Sequence, residues 1–91
     1  MESKIKSYEE QVLELGNGKM LEPGCYNENM KKLCNVEDIK GSGIKNPGHR
    51  YYDDIDNVYY VVCPKSMNYF GSGLFSNMVN LRAVVLPDDL K

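Results

Sequence analysis

The sequence predicts a small single α+β domain with a mixed or antiparallel sheet, and three observations carry that prediction. Residues 58–63 and 81–86 are β-branched runs that read as two central strands. An Asn-Gly pair between apolar stretches reads as an N-terminal β-hairpin. Met30, Leu33 and Cys34 recur at helical spacing and read as one of one or two short helices. The 91 residues, 42% hydrophobic and 26% charged, suffice for one core and leave few apolar side chains spare for a deep cavity.

Taken in order, residues 1–10 are charged and lack a sustained period, so they are expected to form a frayed arm ahead of a single domain at 11–91. Residues 11–15 and 19–22 flank Gly16, Asn17 and Gly18, whose tolerance of positive φ suits a tight turn. Pro23 and Gly24 then break the second strand. Asn27 can accept from the first amides of a helix, and Glu28 suits the positive end of its dipole. That helix is expected to run through Ile39 toward a stop at Gly41. Residues 41–48 are rich in Gly, Asn and Pro and read as an exposed loop.

The run at 58–63 is apolar or aromatic on both alternating faces, as in a strand covered on two sides. The run at 81–86 matches it and is stopped by Pro87, with Arg82 bringing its first half toward solvent. The two strands are expected to be neighbours. Pro64 can open a helical turn between them, and Leu74, Phe75 and Met78 repeat at helical spacing. A βαβ crossover and an antiparallel pair joined by a long loop are both compatible with this pattern. Residues 75–90 also resemble one turn of the leucine-rich repeats of bacterial surface proteins; a solenoid needs at least about three stacked copies, and no second copy precedes this one.

Charge and composition then narrow the function classes. A net charge of −2 offers no strong field for nucleic acid. The N-terminal residues lack the apolar segment of a secretory signal, and the six-residue apolar run at 58–63 is far below the roughly 18 residues that span a bilayer, so a cytoplasmic protein without membrane contact is expected. Three cysteines fit reduced thiols better than a disulfide framework, with Cys34 and Cys63 expected buried and Cys25 in a loop.

Catalytic and metal chemistry find little footing. Cys25, Cys34, Cys63 and His49 form a Cys3His set, but structural zinc sites bring two sulfurs together at a spacing of about two to four residues, which is missing here. His49 is the single imidazole for any Cys-His or Ser-His-Asp scheme and falls in the Gly/Pro loop. Asp53, Asp54, Asp56 and Asn57 supply hard oxygen donors, yet position twelve counted from Asp54 is Lys65, where an EF-hand requires glutamate. The glycine-containing loops match neither a P-loop nor a dinucleotide fingerprint. No catalytic residue, metal or cofactor is assigned, and an enzyme is not expected.

The segment that stands out is 50–60, where tyrosines bracket carboxylates. Tyrosine offers large, stiff contact area at low entropy cost, and adjacent carboxylates steer a basic partner. Arg50, Tyr51, Tyr52, Asp53, Asp54, Asp56 and Tyr59 are therefore the expected partner-binding residues. The expected role is a protein-binding module acting stoichiometrically on a partner with a basic patch, as a phage or mobile-element inhibitor of a host factor would. One alternative is single-stranded nucleic acid binding by tyrosine stacking with Lys31, Lys32, Lys40, Lys45 and Arg50, against which the carboxylates count. Another is a small-ligand or self-assembling scaffold, a homodimer joined through an unpaired sheet edge.

Overall fold

The computed structural model describes residues 7–39, 51–67, 75 and 78–87. Its elements are one helix, α1 (Tyr8–Leu15), and four strands, β1 (Gly24–Tyr26), β2 (Lys32–Cys34), β3 (Tyr60–Val62) and β4 (Ala83–Val85), with single 3-10 turns at Val36–Asp38 and Ile55–Asn57. The strands form one mixed sheet in the order β2-β1-β3-β4. β1 pairs antiparallel with both β2 and β3, whereas β3 and β4 run parallel. The α+β class and the adjacency of the strands at 58–63 and 81–86 match expectation, but only β3 is central: β4 lies at the sheet edge and is largely half-buried, in keeping with Arg82 at its start. The parallel pairing of β3 and β4 selects a crossover over an antiparallel pair; much of the connection, at 68–74 and 76–77, lies outside the described residues.

The N-terminal hairpin is a correction: residues 11–15 belong to α1. Ser7 caps the helix, its Oγ accepting from the Glu10 amide at 3.1 Å while the Ser7 amide donates to Glu10 Oε1 at 3.2 Å. Glu9 and Glu10 also favour the positive end of the helix dipole. Tyr8, Glu9 and Glu10, read above as part of an arm, are thus the first turn. Positive φ at Asn17 (54°) and Gly18 (94°) ends the helix, with the Gly18 amide donating back to the Leu13 carbonyl at 2.8 Å. Left-handed backbone serves a helix stop as readily as a hairpin turn, which is why the local signal pointed to the wrong element.

The helix expected from Asn27 is a second correction. Asn27 Oδ1 does accept from backbone amides, those of Asn29 and Lys31, both at 2.9 Å. Met30 then turns left-handed at φ 65°, a conformation a helix cannot continue through, and the chain reverses into β2. Cys25 is a third: it is fully buried in β1, while Cys34 is half-buried.

Strand alternation sorts the core into two layers. The register Cys34–Cys25–Val61–Val84 lays one cross-strand row on one face. There Cys25, Val61 and Cys63 pack with Val36, Ile39, Val58 and Met78. On the opposite face Tyr26, Val62 and Val85 pack against Tyr8 and Val12 of α1. The Tyr8 hydroxyl donates to the Cys63 carbonyl at 2.5 Å, tying the helix to the end of β3. β3 is covered on both sides, with Val61 and Val62 fully buried, as its sequence required.

Candidate functional site

The predicted segment approaches the sheet on the face away from α1. The Tyr52 amide donates to the Asp38 carbonyl at 2.7 Å, and its ring packs, half-buried, on the cluster of Cys25, Val36 and Val61. Asp54 follows, and the chain winds through Ile55–Asn57, fastened by Asn57 Nδ2 donating to Asp54 Oδ2 at 2.5 Å and by Asn80 Nδ2 donating to the Asp56 carbonyl at 2.8 Å. Buried Val58 anchors the exit of the turn. Tyr59 comes next, its amide donating to the Tyr26 carbonyl at 2.8 Å.

This path forms one wall of a groove of about 350 Å³, with Tyr52, Asp54, Asn57 and Tyr59 facing Asn27, Glu28 and Asn29 of the β1–β2 turn and Leu33 of β2. Arg82 does not line the groove but contacts one residue of each wall. Its guanidinium lies 4.9 Å from the centre of the Tyr59 ring and 3.1 Å from Glu28 Oε2. The hydrogen bond to the Tyr60 hydroxyl is the main reason its pKa stands above the usual arginine value, with Glu28 adding to it. Exposed ion pairs contribute little stability, so the consequence of this cluster is shape: it ties the turn before β2 to the strand pair β3–β4. Burial, and after it the Asp54 carboxylate, raises the Tyr52 phenol above its ordinary pKa.

Of the expected contact residues, the groove gathers Tyr52, Asp54 and Tyr59. Tyr51 is exposed beside it, and Asp53 and Asp56 are exposed on the same segment without lining it. Arg50 lies outside the described residues. Sequence reasoning missed the opposite wall and Arg82. Asn27 carried a signal, a side chain able to satisfy nearby amides, but the signal was assigned to a helix cap. A larger concavity of about 430 Å³ lies between α1 and β4, lined by Leu15, Met30, Val84 and Val85, with Glu14 the one charged side chain among the described residues that line it. The smaller groove is the better candidate because several polar groups converge on it between aromatic walls.

Among the described residues no group of three or more His, Cys, Asp or Glu side chains is placed to hold a metal ion, and no helix is long and apolar enough to cross a membrane. Comparison with protein-family models, with curated protein sequences and with solved structures finds no match.

Proposed function

We propose that the protein is a binding module that grips a basic segment of a partner protein in the groove between the Ile55–Asn57 turn and the β1–β2 turn. The supporting observation is the convergence of Tyr52, Asp54, Asn57 and Tyr59 on Asn27, Glu28 and Asn29. Phenol rings supply the apolar walls, the Asn29 side-chain amide can bond a peptide backbone, and Asp54 complements lysine or arginine, while Glu28 is paired with Arg82. Exposed Asp53 and Asp56 extend the negative field along the approach, which favours encounter with a basic chain over a phosphate backbone. Binding without turnover suits a stoichiometric inhibitor of a host factor, of the kind phages and mobile elements carry.

Selection from a random-peptide display library with the full chain as bait tests the reading. Enriched peptides are expected to carry Lys or Arg, and Tyr59→Ala with Asp54→Asn is expected to weaken them at least about tenfold, the loss typical of an interface hot spot. Enrichment of acidic peptides, or affinities untouched by the double variant, refutes it. A preference for single-stranded DNA or RNA over every peptide points to the nucleic-acid alternative instead.

A further inference from the structure

Cys25 and Cys34 are register partners across the antiparallel β1–β2 pair. Both sulfurs belong to the face packed around Val36 and Val61. Register and shared cluster together put the two side chains next to each other on that face. Regular antiparallel partners place their Cα atoms about 4.5 to 5.5 Å apart, inside the roughly 4.4 to 6.8 Å that a disulfide spans, and here the register shifts just beyond the pair, between Cys25 and Tyr26. The two thiols also differ in access, since Cys25 is fully buried whereas Cys34 is half-buried. We propose that Cys25 and Cys34 are a peroxide-responsive pair, with Cys34 the entry thiol and Cys25 the resolving thiol, closing a disulfide between β1 and β2.

The division of labour follows from access, since peroxide can reach half-buried Cys34 but not fully buried Cys25, and the pKa directions agree with it. Hydrogen bonding between the thiols lowers the Cys34 pKa and raises that of Cys25, so the accessible sulfur is the readier thiolate. The Cys34 thiolate attacks hydrogen peroxide: an S–O bond forms, the O–O bond breaks, and the departing hydroxide is protonated to water. Cys25 then attacks the sulfenic sulfur. The S–S bond forms, the S–O bond breaks, and the leaving hydroxide takes the Cys25 proton as a second water. Two thiols give up two electrons to one peroxide. Cys63 is outside this scheme, because it is fully buried and burial pushes its pKa up to about 11. The ring closed by the bridge contains Asn27, Glu28, Asn29 and Leu33, so oxidation staples one wall of the groove without depending on what the groove binds.

The full chain is treated with limiting hydrogen peroxide, its remaining thiols are blocked, and it is analysed by intact mass and tryptic mapping. Cleavage after Lys31 and Lys32 separates the two cysteines, so the bridge appears as two joined peptides. The expected result is a loss of about 2 Da with a single blocking adduct, carried by Cys63, in place of three, a Cys25–Cys34 link, and full reversal by dithiothreitol. Cys63→Ala is expected to form the same link and Cys34→Ser none. In Cys25→Ser, Cys34 is expected to stop at a sulfenic acid trapped by dimedone; should that core variant not fold, the map of the full chain decides alone. A link through Cys63, disulfide-joined dimers, Cys34 oxidised further while Cys25 stays a thiol, or unchanged mass overturns the proposal.

Discussion

The two faces of the sheet are built differently. On one, a single regular element closes the core: Tyr8 and Val12 of α1 lie on Tyr26, Val62 and Val85, with the Lys65–Glu9 ion pair at 2.5 Å along the margin. On the other, 3-10 turns and connecting segments cover Cys25, Val61 and Cys63, and the aromatic and polar groups between them frame the groove. A helix satisfies its own backbone and can pack flush, whereas a turn leaves side chains such as Asn57 and Asn80 to do that fastening and so leaves concave, polar space. The irregular face also holds the paired thiols. Stability is expected to be concentrated on the helical face and recognition on the other.

Alkaline titration reaches both faces and should have the largest effect. Burial is the leading cause that raises the Tyr8 and Tyr26 phenols on one side and the Tyr52 phenol on the other, and it lifts Cys63 from 9.0 to about 11. A group whose folded pKa is raised contributes stability that is complete below its unfolded value and is lost as pH rises through the folded one. For Cys63 that window is pH 9.0 to about 11. Urea midpoints measured against pH should therefore fall steeply between pH 9.0 and about 11; a level profile over that window contradicts the burial of these groups.

Tyr8→Phe sharpens the comparison next. It removes the donor to the Cys63 carbonyl and leaves a buried acceptor unmet, which should cost about 1 to 3 kcal/mol in a denaturation experiment while peptide binding in the groove is retained. Ser7→Ala is milder. Loss of the cap should cost about 1 kcal/mol and lower helical circular dichroism, again without touching the groove. If either variant weakens groove binding more than stability, the two faces are not separable in the way described.

How much of this was legible in the sequence depends on how local each signal is. The strands at 60–62 and 83–85 were, because β-branched runs covered on two faces have few other ways to be buried. The helix was written in Ser7 and Glu10, spaced for reciprocal capping, and in Tyr8, Val12 and Leu15 at helical spacing, but Asn17-Gly18 drew the reading toward a hairpin. Asn27 misled in the same way: it bonds the amides a helix cap would bond, and only the left-handed Met30 beyond it decides against the helix. In the site, Tyr52, Asp54 and Tyr59 were visible as residue types suited to contact. Glu28 and Arg82 were not, since their ion pair joins positions 54 residues apart and exists only once β1, β3 and β4 are assembled.

The central claim is that recognition belongs to the face away from the helix, and amide chemical-shift mapping of the full chain with a Lys- or Arg-bearing peptide from the display selection tests it most directly. Shifts are expected at Asn27, Glu28, Asn29, Tyr52, Asp54, Asn57 and Tyr59, with Gln11, Leu15 and Ala83 unmoved. Shifts confined to Gln11, Leu15 and Ala83 would contradict the account, for they would place the contact in the concavity between α1 and β4.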